Sequence, residues 1–200
     1  MKTKALLAAL LLCGSAVTAS AQNEGFRFGA TVGMNVSSIT NTSADSRIGF
    51  NIGVRGEYSF SNSLYANAAL LFSQKGAKYG VEYAGYDTKL KANPGYIEIP
   101  LHFGYHYDLG NNVGIFLETG PYFAFGVCGK EKIEAGKLEY KSDFFGDDGA
   151  NTFDAGWGLR GGVEASGFQV HLGYDHGFSK LYDGGNSKNS NFSIGVSYMF

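Results

Sequence analysis

Apolar and polar residues alternate with a period of two along most of the chain. In YIEIPLHFGYHYDLGNN, residues 96–112, Ile97, Ile99, Leu101, Phe103, Tyr105, Tyr107 and Leu109 fall on one face of an extended strand. Tyr96, Glu98, Pro100, His102, Gly104, His106 and Asp108 fall on the other. Seven further runs alternate in the same way. One sets Phe26, Phe28, Ala30, Val32 and Met34 against Arg27, Gly29 and Thr31, and the next sets Ile48 to Phe60 against Gly49, Asn51, Arg55 and Glu57. A third runs from Leu64 to Phe72, with Tyr65, Asn67 and Lys75 on its polar side. Others set Val113, Ile115, Leu117, Phe123 and Phe125 against Glu118 and Tyr122, and Phe153, Trp157, Leu159 and Val163 against Asp154, Arg160 and Glu164. The last two set Phe168, Val170 and Leu172 against Gln169, His171 and Asp175, and Phe192, Ile194, Val196 and Tyr198 against Ser193, Gly195 and Ser197. No segment carries a helical period.

The connections also alternate, in length. Ser61–Ser63, Gly110–Asn112 and Ser166–Gly167 are short, whereas residues 37–47, 76–95, 129–152 and 177–190 read as long polar loops. Eight strands joined by tight turns at one end and long loops at the other predict an all-β fold, an eight-stranded antiparallel up-and-down barrel. The polar face is mostly glycine and small residues with a few charges of both signs, too sparse to be a water-facing surface. The apolar face is almost uncharged, with aromatics toward the strand ends. A soluble barrel would turn the oily face inward. This composition instead predicts a transmembrane barrel with the oily face in lipid, the polar face lining a narrow lumen, and both termini periplasmic. Closure follows, because an open edge would leave backbone groups unpaired in hydrocarbon.

Composition narrows the reading further. The start, MKTKALLAALLLCGSAVTASA, has a basic n-region, a short apolar core and an Ala-Ser-Ala cleavage site. It predicts a signal peptide over residues 1–21, a barrel domain over 22–200 and export to the Gram-negative envelope. Three leucines before Cys13 argue against a lipoprotein. The formal net charge of −2 gives no case for nucleic-acid binding. Cys128 is the only cysteine after residue 21, so no internal disulfide is expected.

The final Tyr198-Met199-Phe200 resembles the C-terminal signal by which the barrel assembly machinery recognises outer-membrane substrates, and LFSQKGAKY, YIEIPLHFGYHY and LETGPYFAFGV resemble the outer-membrane β-barrel proteins labelled porin-family or PorT-like. The resemblance spans nearly all of residues 22–200. It implies the barrel and an outer-membrane location, while the C-terminal signal implies recognition of Phe200 by the barrel assembly machinery. It implies no reaction, since fold does not fix function.

The candidate chemistry is interior. Counting out from the turn at Gly110–Asn112, with Leu109 opposite Val113, puts Gly104 opposite Glu118 and makes Glu118 diagonal to His102 and His106. These three could form a general-base cluster or metal site, or a bracing network. Bracing is the favoured reading, because buried charge needs partners. It covers Arg55, Glu57, Glu98, His102, His106, Glu118, Arg160, Glu164, His171 and Asp175. Arg160 falls diagonal to Asp175, and Lys75 and Glu98 flank one loop and can pair. Pro100 opposite Tyr122, beside Pro121, predicts a bulge or water-filled irregularity. Asp143, Asp147 and Asp148 read as a solvated acidic loop, not a calcium site. No catalytic residue, cofactor or metal is expected. The expected partners are outer-membrane lipid and lipopolysaccharide, the assembly machinery, and an extracellular ligand or protein on the long loops. The expected role is structural or loop-mediated binding. Alternatives are a narrow pore, a secretion accessory or a lipid-modifying enzyme.

Overall fold

A computed structural model of the chain describes residues 25–40, 45–83, 86–135, 138–145, 150–182 and 186–200. The expected signal peptide lies outside them, as do Asp147 and Asp148. The strands are β1 (Phe26–Ile39), β2 (Asp45–Ser59), β3 (Leu64–Gln74), β4 (Ala77–Tyr83) and β5 (Tyr86–Gly110). They continue as β6 (Val113–Ala135), β7 (Leu138–Asp143), β8 (Phe153–Ala165), β9 (Phe168–Gly177) and β10 (Asn189–Met199). All pair antiparallel. β1, β2, β3, β5, β6, β8, β9 and β10 neighbour one another in that order, and β10 returns to β1 with Val32 opposite Val196. The result is a closed eight-stranded barrel.

The alternation places side chains as the sequence predicts. Phe103, Leu117, Leu159, Leu172 and Ile194 are exposed on the outer wall, Phe103 by 69%. Arg55, Glu57, His102, Glu118, Arg160 and His171 are buried inside. Outward aromatics gather at both rims. Phe26 packs on Phe28 and Tyr58 at the short-turn end, and Phe168 on Tyr198. Phe50–Phe72 and Phe125–Phe153 lie at the other end. From Ile97 to Tyr107 the outward face of β5 covers about 34 Å of strand. Tilted as barrel strands are, that is about 25 Å of height, the apolar band of an outer-membrane barrel.

The turns have physical causes. Asn111 (φ 56°) and Asn112 (φ 58°) are both left-handed, as are Ser166 (φ 50°) and Gly167 (φ 84°). Two such central residues make the primed turn whose twist matches a hairpin, and asparagine tolerates that region better than other side chains. Gly110 therefore pairs with Val113, and the ladder slips between Asp108 and Gly110. This corrects the expected pairing of Leu109 with Val113. Past the slip, Gly104 still faces Glu118, as counted.

Two other expectations change. Residues 76–95 and 129–152 are not simply loops: β5 is 25 residues long and β6 is 23, and they pair with β4 and β7 in a four-stranded extension. Both faces of the extension are polar at many positions, so period-two contrast fades there and the strands read as loop. The two prolines give no bulge. Ladder pairing stops after Pro100↔Tyr122 and resumes at Phe103↔Thr119 in the same register. The slip lies higher, between Gly95 and Tyr96, where β6 holds an extra residue, Val127.

Candidate functional site: the polar lumen

The lumen is filled by layers of paired side chains. At the short-turn end Arg27 donates to Glu57 and to Glu164, both at 2.6 Å. Gln169 donates to Glu164 at 2.8 Å and to Glu57 at 3.2 Å. Arg27 comes from β1, Glu57 from β2, Glu164 from β8 and Gln169 from β9, so the layer ties both sides of the β1–β10 seam.

The next layer centres on Glu118, whose exposure is 0%. Arg55 donates to Glu118 Oε1 and, at 2.9 Å, to Glu57. Tyr65 donates its hydroxyl to Glu118 at 3.0 Å. His102 Nδ1 approaches Glu118 Oε2 at 3.5 Å, and Arg160, directly opposite on β8, lies at 3.9 Å. The register explains how Tyr65 reaches across a strand. Tyr65 faces Gly104, which faces Glu118. A Cβ on Gly104 would stand 2.2 Å from the Tyr65 ring, so only glycine lets the ring cross. His102 likewise lies against Gly158, whose Cβ would come within 2.9 Å of its Nε2.

Above these, Asn51 donates to Asn35 at 2.6 Å, Asn35 to Ser73 at 3.0 Å, and Asn191 to Asp175 at 3.2 Å. An internal cavity of about 10 Å³ lies among Glu98, Arg160, His171 and Asp175, the size of one water. Higher still, buried Lys75 meets Glu98 at 2.5 Å, with its ammonium 4.6 Å from the centre of the Tyr122 ring. Tyr122 and Asn189 both donate to Asp154. An apolar cluster of Ala92, Phe144, Ala150 and Leu181 completes the hairpin end, with Phe145 edge-on to Tyr96.

The residues singled out from sequence are thus partly brought together. Glu118 meets His102, and Lys75 meets Glu98. His106 does not join them: it is half-buried and lines a 310 Å³ recess at the short-turn end with Asp108, Gly114 and Glu164. Asp175 accepts from Asn191 rather than from Arg160. His171 sits against Gly195, lining the small internal cavity. Asp143 ends β7 opposite Lys130. Arg27, Tyr65, Tyr122, Asp154 and Gln169 are further members that strand-by-strand counting left unpaired. Their inward parity was visible, but their partners lie across the lumen.

A closed antiparallel barrel with an oily outer wall, two aromatic rims and a charge-paired lumen is a membrane barrel of the outer-membrane class. Residues 20–183 match the family model for the outer membrane protein beta-barrel domain, and the chain belongs to that family. It is therefore an outer-membrane protein. Similar solved structures include Ail, the attachment invasion locus protein of Yersinia pestis, at 18% identity over 89% of this chain and 100% of that one, TM-score 0.43. Neisserial surface protein A matches at 16% over 88% and 98%, TM-score 0.47. OprG of Pseudomonas aeruginosa matches at 12% over 88% and 96%, TM-score 0.49. No curated protein matches the sequence significantly.

Proposed function

We propose that the chain is a non-enzymatic surface-binding barrel that holds the β4–β7 extension outside the cell for contact with an extracellular ligand or protein. The observation that carries this reading is strand length. A membrane-crossing strand needs about 9–11 residues, and β5 and β6 have 25 and 23. Their surplus lies wholly at the hairpin end and is hydrogen-bonded into a sheet, which fits a presented surface better than a slack connection. Short turns and both termini share the opposite end, as in outer-membrane barrels whose turns are periplasmic. The packed lumen supports binding over conduction, and Glu118, His102 and Arg160 serve this reading as braces.

The test is labelling of intact cells with a membrane-impermeant maleimide, in a Cys128→Ser background. A cysteine replacing Asp87, at the β4–β5 tip, should react on intact cells. One replacing Asn111 should react only after lysis. The opposite pattern would overturn the orientation and with it the binding role.

A further inference from the structure

A recess of about 420 Å³ interrupts the apolar outer wall. Its floor holds three small outward residues, Gly56 on β2 and Ala66 and Ala68 on β3. Gly56 is directly opposite Ala68, and Ala66 is opposite Tyr58, so the three are neighbours on one face. Phe26 and Tyr58 stand on one side, Leu101 and Phe103 on the other, and all four are exposed. Leu101 pairs with Ala68 and Phe103 with Ala66, so the far wall flanks the floor directly.

A glycine inside a sheet commonly marks close approach of another backbone. That reason holds for Gly53 on the same strand, where a Cβ would lie 2.1 Å from the carbonyl oxygen of Leu70. It fails for Gly56. A Cβ there would meet only the rings of Phe26 and Phe28, at 3.5 Å, an ordinary contact. The barrel's own packing would accommodate alanine at 56, so the space belongs to whatever lies against the wall.

The recess is continuous with the face that meets lipid. It begins at the Phe26–Tyr58 pair of the short-turn rim and runs toward mid-wall at Leu101 and Phe103, the direction of an acyl chain descending from the headgroup zone. Its outward residues carry no charge, so it suits hydrocarbon rather than a headgroup. Tyr58 at the rim sets a phenol where ester and headgroup oxygens lie. The volume falls within the range of small-molecule sites, about 300–1,000 Å³. A second barrel fits less well, because a stable protein contact buries about 1,200–2,000 Å² in total, more than a recess of this size offers.

We propose that the recess over Gly56, Ala66 and Ala68 binds one acyl chain of a phospholipid in the leaflet at the short-turn end. Packed chain atoms supply the dispersion contacts that an unfilled hollow would forfeit. In the orientation proposed above this leaflet faces the periplasm, and the choice of phospholipid over lipopolysaccharide rests on that reading.

The experiment reconstitutes the barrel in vesicles of phosphatidylethanolamine and phosphatidylglycerol, with a small share of phosphatidylethanolamine carrying a diazirine midway along one chain. Such vesicles offer phospholipid at both ends of the barrel. The outcome is therefore independent of which end is periplasmic and separable from the cell-labelling test. After illumination, adducts are mapped by peptide mass spectrometry. Adducts at residues 56–68 and 101–103 should exceed those around Val170 and Leu172, where large exposed side chains cover the wall, by at least about threefold. The ratio is modest because apolar contact within lipid gains only dispersion energy. Ala66→Leu with Ala68→Leu fills the recess and should abolish the excess, with compact migration in cold detergent gels as the check of folding. Ala68→Leu alone, at an exposed position, carries the test if the pair does not fold. Even labelling of the two regions, or an excess that survives filling, would overturn the proposal. So would lipopolysaccharide competing with the probe better than unlabelled phospholipid in detergent micelles. Ready disulfide dimerisation of a Cys128→Ser, Ala68→Cys barrel in the same vesicles would equally overturn it, by placing a second copy in the recess.

Discussion

Glu118 is fully enclosed and shared by Arg55, Tyr65, His102 and Arg160. Glu118→Ala should destabilise the barrel by about 1–3 kcal/mol, since Arg55 then keeps a single carboxylate, Glu57, beside the Ser197 hydroxyl, while Tyr65 loses its acceptor. Arg55→Met should cost more, about 3–5 kcal/mol, because it strips a cation from two buried carboxylates. The double variant Arg55→Met with Glu118→Met should recover part of the loss, as apolar replacement of a whole buried pair often does. Reversible urea unfolding in lipid vesicles measures all three, and strict additivity would contradict the pairing. Sequence alone points Glu118 inward and offers it the histidines of the neighbouring strand. It cannot offer Arg55, because β2 and β6 are not adjacent. Their meeting depends on how the sheet closes and shears, which no local pattern encodes. His106, two residues from Gly104, shares the parity of His102 but falls at the rim, because height along the axis changes with every pair of residues.

At the scale of elements, the hairpin turns are the most legible features and the extension the least. Asn111 and Asn112 hold left-handed φ values that set the β5–β6 register. Replacing both with alanine should cost about 1–2 kcal/mol per residue, the penalty for an ordinary side chain in that region, and should slow barrel folding. Asn112→Gly should be neutral or stabilising. Heat-modifiable gel mobility during refolding checks both, and an alanine pair that folds like the wild type would contradict a register-setting turn. The strands within the apolar band are readable because lipid on one side and lumen on the other impose opposite chemistries on successive residues. Beyond the band that contrast vanishes. Lys91 and Lys132 then read as loop residues, although the ladder sets them opposite each other across β5 and β6.

For the molecule as a whole, the apolar wall, the paired lumen and the extension are consequences of one arrangement in lipid. Neutralised charges brace a barrel too narrow to hold much water, and the strands that exceed the membrane carry a surface beyond it. The central claim is that the apolar face meets lipid and the polar face does not. It is tested most directly on β10, where exposed apolar and buried small polar residues alternate from Phe192 to Tyr198. Nitroxides placed in turn from Phe192 to Tyr198, omitting Gly195, where a Cβ would stand 2.7 Å from His171, in a Cys128→Ser barrel reconstituted in bilayers, should show oxygen accessibility alternating with period two. It should be high at Phe192, Ile194, Val196 and Tyr198 and low at Ser193 and Ser197. A flat profile, or one with the serines accessible and Ile194 protected, would contradict the account.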